Sequence, residues 1–322
     1  MSHYTTARRT SRRAAMRVLA LPALGALLAC ADEAPTSPAS ASALGQGAGV
    51  SPKAATILFS GTQTGAAKIY VMNADGSNVR RLTSGEGQDL QPDYQPGGKR
   101  FTWMRYNGGA LSVWTANANG GGARQLAPLN EVGNASFPQY SPDGKRIAFQ
   151  FSAPSSQSHS RIRVMNADGS GMTDVTPPDR DFYTPTWSPS GNALAFEGNS
   201  PAGVPSIYMM NLSVGLPLLV AECTVQPGCS EPAFSPAFDK LAFTDYAKQR
   251  IGVMDVATRA ITYAGVNAQN PAWSKDGGWL LFDAELNGSR DIAVVSASDP
   301  AGSVMLTLTS FQGDETAPAP SR

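Results

Sequence analysis

The chain has 322 residues, with 25 basic and 25 acidic side chains, 32 Gly, 24 Pro, 3 Cys and 2 His. The Gly and Pro content suits a turn-rich β protein rather than a helical one. Two histidines cannot build a histidine-rich metal centre, and the absence of a basic excess or stripe excludes nucleic acid as a ligand held through its phosphates.

Residues 1–30 read as an export leader. Arg8, Arg9, Arg12, Arg13 and Arg17 form a basic front, and no acid precedes Asp32. The apolar run Val18–Ala29 is broken by Pro22 and Gly25 and is too short to span a bilayer as a stable helix. It ends Leu27-Leu28-Ala29-Cys30, which resembles the lipobox of bacterial lipoproteins. That resemblance implies acylation of Cys30 as the mature N-terminus; an ordinary secretion signal is the alternative. Ser11-Arg12-Arg13 hints at twin-arginine export, without the residues that motif prefers next. Losing the leader removes five Arg and no acid, so 20 basic face 25 acidic residues, a net charge of −5.

Residues 31–49 contain no large apolar side chain except Leu44. Such a segment cannot bury enough surface to fold and reads as a flexible tether. Its Gly45-Gln-Gly47-Ala-Gly49 follows no strand and opens no helix, so it is no phosphate loop.

From residue 50 onward one phrase repeats. Its clearest copy is Phe137-Pro-Gln-Tyr140-Ser-Pro142-Asp-Gly144-Lys-Arg-Ile147-Ala-Phe149, followed by Ile162-Arg-Val164-Met165-Asn-Ala-Asp168-Gly169. Ile147, Phe149 and Phe151 alternate with period two, as a packed strand requires. Ser-Pro-Asp-Gly and Asn-Ala-Asp-Gly are turn signals, so the unit is four short strands. Copies begin at Val50, Tyr94, Tyr140, Trp187, Phe234 and Trp273, in steps of 44, 46, 47, 47 and 39 residues. Four-stranded units of about 40–50 residues have the period of a β-propeller blade. The final Ala317-Pro318-Ala-Pro320-Ser321 matches the entry phrase Asn270-Pro271-Ala-Trp273-Ser274 one step on, whereas the opening copy lacks a proline-led entry strand. The expectation is an all-β, six-bladed propeller over residues 50–322, with four-stranded antiparallel blades and the C-terminus closing the ring.

The phrases at 138–149 and 69–76, the latter followed by Arg80-Arg-Leu82-Thr83, resemble the TolB-type, or PD40, propeller family. The resemblance covers residues 50–322 and implies protein partners in the cell envelope. Family members that carry a separate α/β domain before the propeller have more chain there than residues 31–49 supply. Relatives that are lyases rely on a histidine-rich metal centre, and peptidases on a hydrolase domain; neither is present here.

The aromatics closing each entry strand (Tyr94, Tyr140, Trp187, Phe234, Trp273) read as inter-blade core, since a carbohydrate platform seldom needs one residue in every repeat. Asp75 and Asp168 lack the further oxygen ligands of a calcium loop and read as hairpin turns. Cys223 and Cys229 enclose a Pro-Gly turn and, in an exported chain, are expected to form a disulfide rather than two thiols or a metal pair. His159 lies in a Ser-rich loop and reads as solvated, and no hydrolase elbow or Walker loop occurs.

No catalytic residue, cofactor or metal is therefore expected. The residues ahead of each entry proline form a polar rim: Asp89, Gln91, Asn134, Asp181, Tyr183, Glu231, Asn270 and Asp314. The expected function is that of a non-catalytic lipoprotein, lipid-anchored in the envelope at the outer membrane or periplasmic face, whose rim binds a protein or peptide. A glycan-binding surface lipoprotein and a carboxylate-based carbohydrate-active enzyme are the alternatives. Convergence of Asp89, Asp181, Glu231 and Asp314 at one mouth would also hold a cation or a basic peptide weakly.

Overall fold

The computed structural model describes residues 55–128, 132–154, 159–286 and 288–321. The leader, Cys30, the tether and the first turn of the opening repeat lie outside the described residues. Those described form strands and turns, with no α-helix among them.

In chain order, blade one contributes β1 (Thr56–Gly61), β2 (Lys68–Asn73) and β3 (Arg80–Arg81). Blade two is β4 (Gln88–Tyr94), β5 (Arg100–Asn107), β6 (Ala110–Asn117) and β7 (Arg124–Ala127). Blade three is β8 (Asn134–Tyr140), β9 (Arg146–Ser152), β10 (Arg161–Asn166) and β11 (Thr173–Asp174). Blade four is β12 (Phe182–Trp187), β13 (Ala193–Asn199), β14 (Pro205–Asn211) and β15 (Leu218–Ala221). Blade five is β16 (Cys229–Phe234), β17 (Lys240–Asp245), β18 (Arg250–Asp255) and β19 (Ile261–Ala264). Blade six is β20 (Ala268–Trp273), β21 (Trp279–Leu286), β22 (Ser289–Ser296) and β23 (Leu306–Thr307), and β24 (Glu315–Pro320) ends the chain. Each sheet has four strands, and blade one reads β24-β1-β2-β3. The C-terminal strand thus completes the first blade as the innermost strand. It is antiparallel to β1, with Ile57 opposite Pro320 and Gly61 opposite Glu315.

The core lies between blades as well as within them. One cluster joins Leu58, Ile69 and Val71 of blade one to Tyr94, Phe101 and Trp103 of blade two. Another joins Ala148, Ile162 and Val164 of blade three to Phe182, Trp187 and Leu194 of blade four. This explains the runs of large, small, large residues such as Leu194-Ala195-Phe196: both faces of the strand are covered, so strict alternation with polar residues is lost. The five entry-strand aromatics are all buried at these seams. Two of them reach back with their indole N–H: Trp187 Nε1 donates to the Gln139 carbonyl, and Trp273 Nε1 to that of Ala233, both at 3.0 Å.

The turns follow the expected chemistry. Asp143 Oδ1 accepts from Ser141 Oγ at 2.5 Å and from Lys145 N at 3.1 Å, and Gly144 has φ +69°. In the hairpin after β2, Asp75 accepts from the backbone and hydroxyl of Ser77, and these bonds hold its carboxyl below the usual range. Gly120, at φ +89°, sits so close to the preceding blade that a Cβ would meet the Leu82 carbonyl oxygen at 2.3 Å. Glycine there serves both the turn and the approach of neighbouring blades.

Candidate functional site: the central channel

Each innermost strand carries one β-bulge at the residue before its proline. Gln91, Phe137, Thr184, Glu231, Asn270 and Ala317 have φ between +46° and +55°, and pairing shifts register beside each one. Six non-glycine residues in the left-handed region, one per blade, are a built feature, since each costs on the order of 1–3 kcal/mol. The bulge turns these six residues out of the strand's alternation, and they line a central cavity of about 90 Å³.

The ring so formed is lopsided. Phe137 and Ala317 are apolar, while Thr184, Glu231, Asn270 and Gln91 are polar. Gln91 Nε2 donates to Asn270 Oδ1 at 3.0 Å, across the small Ala317 of the intervening blade. Only Glu231 is ionisable among the six.

Behind this ring stand side chains from the second strands, at the position following each aromatic: Ser60, Met104, Gln150, Glu197, Thr244 and Asp283. In three seams that side chain accepts the N–H of the next blade's bulge residue. Gln91 N donates to Ser60 Oγ at 3.2 Å, Asn270 N to Thr244 Oγ1 at 3.1 Å, and Ala317 N to Asp283 Oδ1 at 3.0 Å. These bonds satisfy amides that the bulges remove from the ladder.

Three carboxyls gather on the polar side. Glu231 accepts from Thr244 Oγ1 at 2.7 Å, Tyr246 OH at 2.9 Å and Asn270 N at 3.1 Å. Asp283, fully buried, accepts from Asn270 Nδ2 at 2.7 Å and from Arg290 Nε at 2.6 Å. Glu197 accepts from Ser230 Oγ. Burial pushes all three carboxyls up, Glu197 to about 7, with Glu231 adding repulsion to Glu197 and Asp283 adding it to Glu231. Tyr246 is pushed up by burial and by the same carboxylates, so it stays a hydrogen-bond donor. Arg290 balances Asp283. Among the described residues neither Glu197 nor Glu231 has an ion-pair partner.

Of the eight rim residues expected from the sequence, Gln91, Glu231 and Asn270 line the cavity. The others are placed elsewhere at the blade edges. Asp89 is wholly buried, with its carboxylate held by Arg105 Nε at 2.6 Å and Trp103 Nε1 at 3.0 Å, and Lys68 Nζ is 3.8 Å away. Asn134 Oδ1 accepts from Leu111 N at 2.8 Å. Asp181 bonds Ser160 N at 2.6 Å and lies 3.2 Å from His159 Nδ1, which gives that loop histidine a partner. Tyr183 is partly buried, and burial beside Asp181 pushes its phenol up to about 12. Asp314 is exposed and accepts from Arg290 N at 3.0 Å. Asp89 thus has its charge answered internally. Sequence reasoning missed Glu197, Asp283 and Tyr246; the signal for the first two was their shared repeat phase.

Cys223 and Cys229 are joined as a disulfide, with Cα atoms 6.0 Å apart. Asp245 lies close enough to complete a three-residue metal cluster with them, but sulfurs bonded to each other are not thiolate ligands.

Residues 39–157 and 151–321 match the family described as the TolB beta propeller domain. An uncharacterised protein of Agrobacterium fabrum is 26% identical over 159 residues, 46% of this chain and 53% of that one. The Tol-Pal system protein TolB of Anaeromyxobacter dehalogenans is 31% identical over 120 residues, 37% of this chain and 26% of that one. The chain therefore spans about half or less of these relatives. TolB from Acinetobacter baumannii has a similar structure, with TM-score 0.69, 18% identity and coverage of 83% of this chain and 66% of that one. The Kuenenia stuttgartiensis hydrazine synthase aligns with TM-score 0.67 and 13% identity over 83% of this chain and 46% of that one. At such identities the likeness concerns the fold alone.

Proposed function

This chain belongs to the TolB β-propeller family, and from that premise we propose that it is a non-catalytic envelope lipoprotein binding a protein or peptide partner at its channel. The supporting observation is the one-sided carboxyl group set behind the polar arc of the bulge ring. Glu231 lines the narrow opening and Glu197 lies behind it, each without an ion-pair partner among the described residues, so an inserted basic side chain would relieve their repulsion. A relative bearing the name Tol-Pal system protein TolB favours an envelope partner over a soluble metabolite. The Leu27-Leu28-Ala29-Cys30 sequence supports a lipid anchor.

Titration calorimetry with a Lys/Arg-bearing octapeptide, beside a panel of neutral oligosaccharides, tests the reading. The peptide should bind, and binding should weaken as salt rises and as pH falls below about 7, where Glu197 takes up a proton. Replacing Glu197 and Glu231 by Gln should weaken it about tenfold, equivalent to about 1.4 kcal/mol. Oligosaccharide binding without peptide binding would favour a glycan receptor instead. Anchoring is tested separately: Cys30→Ala should abolish incorporation of labelled fatty acid and release the chain from membranes.

A further inference from the structure

At one end of every blade lies the hairpin between its third and fourth strands. The turn between the first and second strands lies at the same end, and a backbone bond joins the two. In blade four Leu212 N donates to the Asn192 carbonyl at 2.9 Å, and in blade six Ala297 N donates to that of Gly278 at 2.9 Å. In blade one the corresponding bond runs from Ala74 N to the Ala55 carbonyl at 3.0 Å. The described chain therefore enters the ring at this end, while the loops bearing Asp181 and Asp314 lie at the other.

In four blades the hairpin tips are polar or rich in glycine: Asp75-Gly-Ser77, Asn119-Gly-Gly121, Asp168-Gly-Ser170 and Ala257-Thr-Arg259. Blade four has Val214-Gly-Leu216-Pro-Leu218 instead. Val214, Leu216 and Leu218 are 64%, 71% and 62% exposed. The turn does not depend on them, because Asn211 closes it. Asn211 Oδ1 accepts from Ser213 N at 2.9 Å and from Ser213 Oγ at 2.7 Å. The Asn211 carbonyl accepts from Val214 N at 3.1 Å and from Gly215 N at 2.9 Å. Large apolar side chains grouped on an exposed tip gain nothing from the fold and mark a contact surface. Val304, 78% exposed in the blade-six hairpin, adds an apolar side chain at the same end.

The tip is a projection rather than a groove, and no ionisable side chain occurs between Val214 and Leu218. Nothing charged would have to be desolvated if it entered a lipid interface. The point of chain entry favours that occupant. Residues 31–54 join Ala55 to Cys30, so a lipid on Cys30 would draw this end of the ring, rather than the other, toward a membrane. We propose that the Val214–Leu218 tip seats in the bilayer interface, with the loops bearing Asp181 and Asp314 turned away from it. The choice of a bilayer rests on the lipoprotein reading above. Apolar contacts of this size bind weakly alone and gain from an anchor that keeps them near the surface.

The test uses the full chain carrying Cys30→Ala and Leu216→Cys, with a nitrobenzoxadiazole dye on the new thiol; Cys223 and Cys229 are joined and do not react. Vesicles of phosphatidylethanolamine and phosphatidylglycerol are the probe. Dye emission should rise several-fold as vesicles are added, and Leu218→Asp should remove most of that rise. The same dye placed by Asn107→Cys, in the hairpin at the opposite end, should not respond. Because the leader can itself hold the chain on vesicles, a flat signal at position 216, or equal signals at both positions, would overturn the proposal. A rise with protein concentration in the absence of lipid would overturn it in favour of a second copy. Fatty-acid labelling of the wild type separates the two readings: labelled protein with a flat dye signal keeps the lipid anchor and removes the seated tip, and unlabelled protein with a rising signal does the reverse.

Discussion

Replacing Glu315 by Gln should remove that residue's share of the pH dependence of the ring's stability between pH 5 and 8, leaving the share that Glu197 adds in the same window. Glu315 opens the closing strand β24 and is fully buried. One oxygen accepts from Gln63 Nε2 at 2.8 Å, and the Asp291 carboxyl, to which Thr309 Oγ1 donates at 3.3 Å, lies nearby. Burial, followed by repulsion from Asp291, pushes Glu315 up to about 8; burial also pushes Asp291 up. Asp314, exposed nearby, adds further repulsion. The pair is therefore satisfied by holding one proton between two carboxyls at neutral pH and titrates as a unit. An acid whose pKa rises on folding binds more protons in the native state, so stability is complete below the unfolded value and falls as pH rises toward the folded one. With an unfolded value near 4.5, the loss amounts to about 3 kcal/mol by pH 7 and about 5 kcal/mol above pH 8.5. Glutamine keeps a neutral N–H donor toward Asp291 at every pH. Urea unfolding at pH 5, 7 and 8.5 should show the variant within about 1 kcal/mol of wild type at pH 5 and more stable by about 3–5 kcal/mol at pH 8.5. Parallel pH profiles for the two proteins would refute the shared proton.

Deleting Ala317–Arg322 should melt the whole ring rather than fray one end. Ala317, Pro318, Ala319 and Pro320 are buried, and their loss removes about 5 kcal/mol of apolar burial and bares the β1 edge. An unchanged Tm for the truncated chain would show that the ring closes by other means. Asp89→Asn should cost about 3–5 kcal/mol in urea unfolding, because Arg105 and Lys68 then lie buried without their counter-charge. A loss below about 1 kcal/mol would mean that water reaches those cations.

The ring was legible because its strands repeat. The Ser-Pro-Asp-Gly turn, the aromatic and the Asn-Ala-Asp-Gly hairpin recur at fixed spacing, and each answers to a local need common to all blades. Even closure by residues 317–321 could be read from the entry phrase one step on. The channel was legible only in part. The bulge places the residue before each proline on the axis, so Gln91, Glu231 and Asn270 were within reach of repeat counting. Residues two or more positions earlier, such as Asp89 and Asp181, fall back into blade edges, where Arg105 and Ser160 engage them. Distance from the proline in sequence does not translate into distance from the axis once a bulge intervenes. Glu197 and Asp283 went unrecognised because each follows the aromatic of a strand that otherwise reads as core. Their meaning appears only when all six copies are set side by side.

That comparison separates two kinds of constraint within one chain. A phase holding one residue type in nearly every copy, like the entry-strand aromatic, answers to packing that all seams share. A phase whose occupants differ, like Gln91, Phe137, Thr184, Glu231, Asn270 and Ala317, is released from that demand while keeping its backbone geometry. The phase behind it varies too, from Met104 and Gln150 to Glu197, Thr244 and Asp283. Variation is not random around the ring: the carboxyls come from blades four, five and six, the large apolar members Met104 and Phe137 from blades two and three, and the small Ala317 from blade one. An inserted ligand would therefore meet acid on one wall and an aromatic ring on the other. A basic side chain with a long apolar stem fits both walls at once, because its methylenes can lie on Phe137 while its charged end reaches Glu231. Phe137→Ala should then weaken peptide binding without changing its salt dependence, whereas Glu231→Gln should flatten that dependence. If the two substitutions altered the salt slope equally, the walls would not be acting separately.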